Sequence, residues 1–153
     1  MDVEIKDMPA LRVATVRHVG PYNQIPKAFE RLGAVAGPAG LLRQSGAMIA
    51  IYHDDPESTP LDQLRSDAAL VVPEGVNLPE GLVEQHIAAG RYAKTVHVGP
   101  YEQLGDAWAR FLGEWVPASG NRIGDGVSYE IYRNTPAEVP KQELRTELYV
   151  PLA

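Results

Sequence analysis

The chain has 153 residues, 44% of them hydrophobic and 22% charged, with a formal net charge of −6 and no cysteine. Disulfides, thiolate catalysis and cysteine-based zinc sites are therefore excluded. The acidic balance argues against direct, sequence-independent binding to nucleic acid, which needs a basic face.

A chain of this size buries about 70% of its unfolded surface, enough for one core. No basic and apolar leader is present, and no apolar run approaches the ~18 residues of a membrane span. A cytoplasmic protein without a membrane segment is expected.

Taken in order, Val3 to Met8 alternates apolar and polar residues and reads as a strand. Leu11 to Val19, rich in Val and Thr, predicts a second strand. Gly20-Pro21 breaks the sheet and opens a helix, with Asn23 as its expected N-cap and Pro26 in its first turn. Ile25, Phe29 and Leu32 form the expected core stripe of that helix. Gly37-Pro38-Ala39-Gly40 ends it. Strands follow at Ala47 to Tyr52 and Arg65 to Val72, and Pro73 to Gly81 connects the two halves.

The order then recurs: strands at Leu82 to Ile87 and Arg91 to Val98, a helix from Tyr101 to Val116, and strands at Val127 to Tyr132 and Leu144 to Val150. Leu104, Trp108, Phe111, Leu112 and Trp115 are expected to make one apolar stripe on the second helix.

The recurrence is written in the residues. His18-Val19-Gly20-Pro21-Tyr22 returns 79 positions later as His97-Val98-Gly99-Pro100-Tyr101. Between Ala14–Leu32 and Ala93–Phe111, nine of nineteen positions are identical. Ile51-Tyr52 answers Ile131-Tyr132, and Leu64-Arg65-Ser66-Asp67 answers Leu144-Arg145-Thr146-Glu147.

One duplicated unit is read, in a single domain over 1–153, with repeat one at 1–78 and repeat two at 79–153. The class is α+β: an antiparallel sheet with pseudo-twofold symmetry and both helices on one face. The opposite face is left for a ligand cleft where the halves meet.

In the strand Val127 to Tyr132, alternation places Tyr129 and Ile131 on one face and Ser128, Glu130 and Tyr132 on the other. Ile49 and Ile51 match the Tyr129/Ile131 face, so that face is expected under the helices. Glu130 and Tyr132 then look into the open side, with Ala50 and Tyr52 as their mates. Glu130 has no acidic counterpart, and this is the clearest chemical asymmetry between the halves.

A carboxylate among aromatic rings can attract a cation or, if desolvated, act as a general acid or base; a solvated strand residue with no role is the plain alternative. His18 and His97 read as structural residues at strand ends. His53 with Asp54-Asp55-Pro56 reads as a turn. No metal site and no cofactor is expected.

The paired motifs, Ser128-Tyr129-Glu130-Ile131-Tyr132 and the closing Leu144 to Leu152 together resemble the GyrI-like superfamily, over essentially the whole chain. That superfamily includes SbmC-type DNA gyrase inhibitors and the effector-binding domains of AraC-type and BmrR-like regulators. The resemblance implies two strand-helix-strand-strand modules around a ligand cleft.

It maps a cation-meeting acid onto Glu130 and its aromatic surroundings onto Tyr52, Tyr132 and Trp108. It implies a stand-alone binder of cationic or planar aromatic compounds, giving toxin protection or sensing. Two alternatives stay open: a hydrolase of cyclopropane-bearing alkylating natural products using Glu130 and a Tyr, and a gyrase-inhibiting protein partner. The oligomeric state is not legible.

Overall fold

The computed structural model describes Met1–Ala153. Its strands are β1 (Val3–Met8), β2 (Leu11–Val19), β3 (Met48–Tyr52), β4 (Arg65–Val71), β5 (Val83–Ile87), β6 (Gly90–Val98), β7 (Ser128–Tyr132) and β8 (Arg145–Pro151). They match the expected strands to within a residue or two. Helix α1 spans Pro26–Ala36. Helix α2 spans Leu104–Arg110 and runs on through a π-helical turn, Phe111–Trp115, into α3, Val116–Ser119. No helix is long and apolar enough to cross a membrane.

The chain forms two compact units, Met1–Pro9 with Ala89–Ala153, and Ala10–Ala88. In the first, the antiparallel order is β1-β6-β8-β7; in the second it is β3-β4-β2-β5. The opening strands of the two repeats are thus exchanged. β1 pairs with β6, Val3 opposite Thr95, and β5 pairs with β2, Val83 opposite Thr15.

Each unit has its own helix-and-sheet core. In the first, Leu104, Ala107 and Phe111 pack against Ala93 of β6 and Leu148 and Val150 of β8, with Val3, Trp108, Trp115 and Tyr132 at the margin. Leu112 does not join the expected stripe and is exposed. The π turn holds an extra residue, so the next buried position after Phe111 is Val116 rather than a residue three or four on.

In the second unit α1 lies on β2 and β4. It buries Ala28, Leu32 and Ala36, with Ile25 at its start, while Phe29 sits only half-buried on the flank. Pro26 occupies the first turn as expected. Asn23 does not cap the helix: it lies in a preceding 3-10 turn, Tyr22–Gln24, and Ile25 takes the cap position without a side-chain bond.

The repeated pentapeptide is a strand-to-helix turn. The glycine amides donate to Leu64 and Leu144 carbonyls, both at 2.8 Å. The glycines themselves sit at φ +129° (Gly20) and +141° (Gly99), where a Cβ is strained. Each histidine bonds the carbonyl of its own motif's proline, His18 Nε2 to Pro21 at 2.9 Å and His97 Nε2 to Pro100 at 3.3 Å. A carbonyl only accepts, so the ring donates from Nε2.

Both histidines are structural, as their positions suggested. Gly99→Ala is expected to lower stability by about 1–3 kcal/mol, read as a fall in the thermal midpoint; its Cβ would also meet Gln103 Oε1 at 2.9 Å.

Candidate functional site

β7 and α2 place three of the candidate residues together. Alternation along β7 sends Glu130 and Tyr132 to one face, and the register sets Glu130 opposite Leu148 and Tyr132 opposite Thr146. Leu104 and Ala107 anchor α2 on that same face, leaving Trp108 on its flank with the indole turned to the strand.

The Trp108 Nε1–H donates to Glu130 Oε1 at 2.6 Å, and the Tyr132 hydroxyl donates to Oε2 at 2.7 Å. Trp N–H is a donor only, so Oε1 must accept. Glu130 is 2% exposed. The two donors pack on further rings: Trp108 stacks on Phe111 at 6.0 Å, and Tyr132 meets Tyr101 edge-on at 5.5 Å. Burial pushes the Tyr101 hydroxyl pKa up, and the charge of Glu130 adds to the rise.

The face assignment made from the residues is therefore inverted. Glu130 and Tyr132 lie under helix α2, and the Tyr129/Ile131 face is the opposite one. The reason is that both faces of this sheet are buried. Tyr129 is stacked on Tyr149 at 4.8 Å with Tyr92 against its edge. Ile49, Ile51 and Tyr129 are as deeply buried as Ala50 and Glu130, so isoleucine does not mark the helix side. Tyr52 lies in β3 of the other unit, where its ring meets that of Tyr22 at 4.8 Å.

The acids that do repeat have a different task. Asp67, fully buried, accepts from Arg17 Nε at 2.6 Å, His53 Nε2 at 2.5 Å and Gln85 Nε2 at 3.1 Å, so one carboxylate ties β2, β5 and the end of β3 to β4. Burial alone would push its pKa up, but the hydrogen bonds from His53, Arg17 and Gln85 together hold it below the usual carboxylate value.

Its counterpart Glu147 bonds Arg133 and Tyr149, each at 2.8 Å, with Lys94 at 3.6 Å. It too is held low against burial, by Arg133 and then Tyr149. His53 thus belongs to Asp67 and not to a turn cluster. The signal in the sequence was an acid, Asp67, set at the head of the apolar run Ala68 to Val72. Asp54, read as a turn residue, closes that turn: its carboxylate accepts from the Arg65 side chain and amide, which draws its pKa down to about 2.

The duplicated antiparallel module places the chain in a class of small-molecule binding domains. The chain belongs to the GyrI-like family, whose small molecule binding domain matches residues 1–153.

A DNA gyrase inhibitor of Serratia proteamaculans (strain 568) is 37% identical over 142 residues, covering 88% of this chain and 88% of that protein. Among solved structures, the EcmrR C-terminal domain aligns with a TM-score of 0.79 at 18% identity, covering 99% of this chain and 97% of that one. SAV2435, solved bound to tetraphenylphosphonium, aligns with a TM-score of 0.74 at 10% identity, covering 100% and 94%. At those identities the structural likeness concerns the fold alone.

Proposed function

We propose that this domain binds lipophilic organic cations, with Glu130 as the countercharge and the rings of Trp108 and Tyr132 as the surface on which the cation rests. The observation that carries the reading is the dress of the carboxylate. It is almost fully buried, and two neutral aromatic donors orient its oxygens.

Aromatic faces add about 0.5–2 kcal/mol to a cation held within reach. A low local dielectric strengthens the attraction between the carboxylate and a poorly hydrated cation. Binding of this kind would serve sensing, or protection by withholding a toxic compound from its target. Tyr52 is not needed for the reading. The fold neighbour SAV2435 with its tetraphenylphosphonium agrees with this ligand class.

The test is a thermal shift with tetraphenylphosphonium and with its neutral relative triphenylphosphine oxide. At a hundredfold excess over Kd a ligand stabilises by about 2.7 kcal/mol, and only the cation is expected to do so. Equal shifts with both, or none, would remove the countercharge role.

A second reading, inhibition of gyrase, is favoured by the name that the Serratia relative carries. Slowing of gyrase supercoiling by near-stoichiometric protein, undiminished in Glu130→Gln, would place that activity outside the acid's surroundings.

A further inference from the structure

The two copies of the pentapeptide end in tyrosines that the fold treats differently. Tyr22 is pinned: its hydroxyl donates to the Asp54 carbonyl at 2.5 Å and accepts the Asp54 amide at 3.0 Å. Tyr101, at the equivalent place, reaches the Asn134 carbonyl only at 3.5 Å, a separation at which a hydrogen bond contributes little. It is 36% exposed.

The turn itself is duplicated faithfully, with the same glycine conformation and the same 2.8 Å bond from each glycine amide to a leucine carbonyl. The difference therefore lies in the seat of the side chain. Tyr101 keeps the turn and gives up the anchor, so its ring can change rotamer at small cost.

Its position makes that freedom consequential. Tyr101 touches Tyr132 edge-on, and Tyr132 holds Glu130 Oε2. From solvent inward the order is exposed Tyr101, half-buried Tyr132, buried Glu130. A carboxylate 2% exposed is met by a ligand only after a covering group moves, and Tyr101 is the outermost and least anchored member of the row. Its ring face carries the negative end of the aromatic quadrupole, which suits a cation and not an anion.

We propose that Tyr101 is the aromatic gate of the Glu130 site: it turns off Tyr132 to admit a lipophilic cation and returns over the bound cation to retain it. The proposal rests on the cation-binding reading above.

The test measures binding and release of tetraphenylphosphonium by wild type, Tyr101→Ala and Glu130→Gln, with thermal midpoints of Tyr101→Phe and Tyr22→Phe alongside. Tyr101→Ala is expected to raise Kd about three- to tenfold, through faster dissociation. Its thermal midpoint should fall by no more than about 2–4 °C, for the lost edge contact with Tyr132.

Tyr22→Phe is expected to lower the midpoint by about 2–4 °C for its lost bonds, and Tyr101→Phe to leave it in place. Wild-type affinity and release in Tyr101→Ala, with binding lost in Glu130→Gln, would overturn the gate and leave the acid's role standing. Wild-type affinity in both variants, or no binding by wild type, would overturn both. Equal midpoint losses in the two Phe variants would overturn the asymmetry from which the gate is argued.

Discussion

Glu130→Gln is expected to weaken tetraphenylphosphonium binding about thirty- to a hundredfold, or about 2–3 kcal/mol. The substitution keeps shape and removes charge. The amide oxygen can still accept from the Trp108 indole, and the Tyr132 hydroxyl can rotate from donor to acceptor. Both bonds seen at the carboxylate thus have a neutral replacement. The thermal midpoint of the free protein should accordingly move little, while the countercharge for the cation is gone. A loss of binding accompanied by a large loss of stability would instead point to a structural acid.

The largest effect on stability is expected at Asp67. Asp67→Ala removes the common acceptor of Arg17, His53 and Gln85. Breaking a buried pair costs about 3–5 kcal/mol. The Arg17 side chain is 43% exposed and can regain water, so the lower end, about 3 kcal/mol, is expected. For a domain of this size that is about 6–12 °C in thermal midpoint.

The same carboxylates set the acid limit. Asp67, Glu147 and Asp54 all have folded pKa values below their ordinary ones. A group depressed by folding stabilises fully above its unfolded pKa, and that contribution drains away as pH falls through the folded value. The midpoint should hold from neutral pH to about pH 5 and fall steeply below about pH 4. In Asp67→Ala the fall should be shallower, since one of the contributing groups is absent. An equal slope in the two proteins would mean that Asp67 is not held low.

The duplication, the strand positions and the unrepeated strand acid Glu130 were all legible in the residues, because each depends on local pattern: the paired pentapeptides, the period-two strands and the mismatch of Glu130 with Ala50. What was not legible depends on partners far along the chain. The face of Glu130 was misread because Ile49, Ile51 and Tyr129 are as deeply buried as Ala50 and Glu130, so apolar character no longer distinguishes the two faces.

The exchange of β1 and β5 leaves no trace in linear order, since each strand carries the same kind of pattern wherever it pairs. The tie of His53 to Asp67 joins residues that a turn-based reading had separated. Trp108 entered as a candidate through the family resemblance, and its indole N–H gives it a polar partner that Phe29, its mate in the other repeat, could not hold. Tyr101 escaped notice because it repeats Tyr22 in identity and differs only in how tightly its hydroxyl is seated.

Both tryptophans, Trp108 and Trp115, lie in the unit that carries Glu130, so intrinsic fluorescence reports on this site. The decisive measurement is the ratio of Kd for triphenylphosphine oxide to Kd for tetraphenylphosphonium, followed by tryptophan fluorescence in wild type and in Glu130→Gln. A ratio well above one in wild type that collapses towards one in the variant is the predicted result. A ratio that is the same in the two proteins would contradict the assignment of Glu130 as the countercharge.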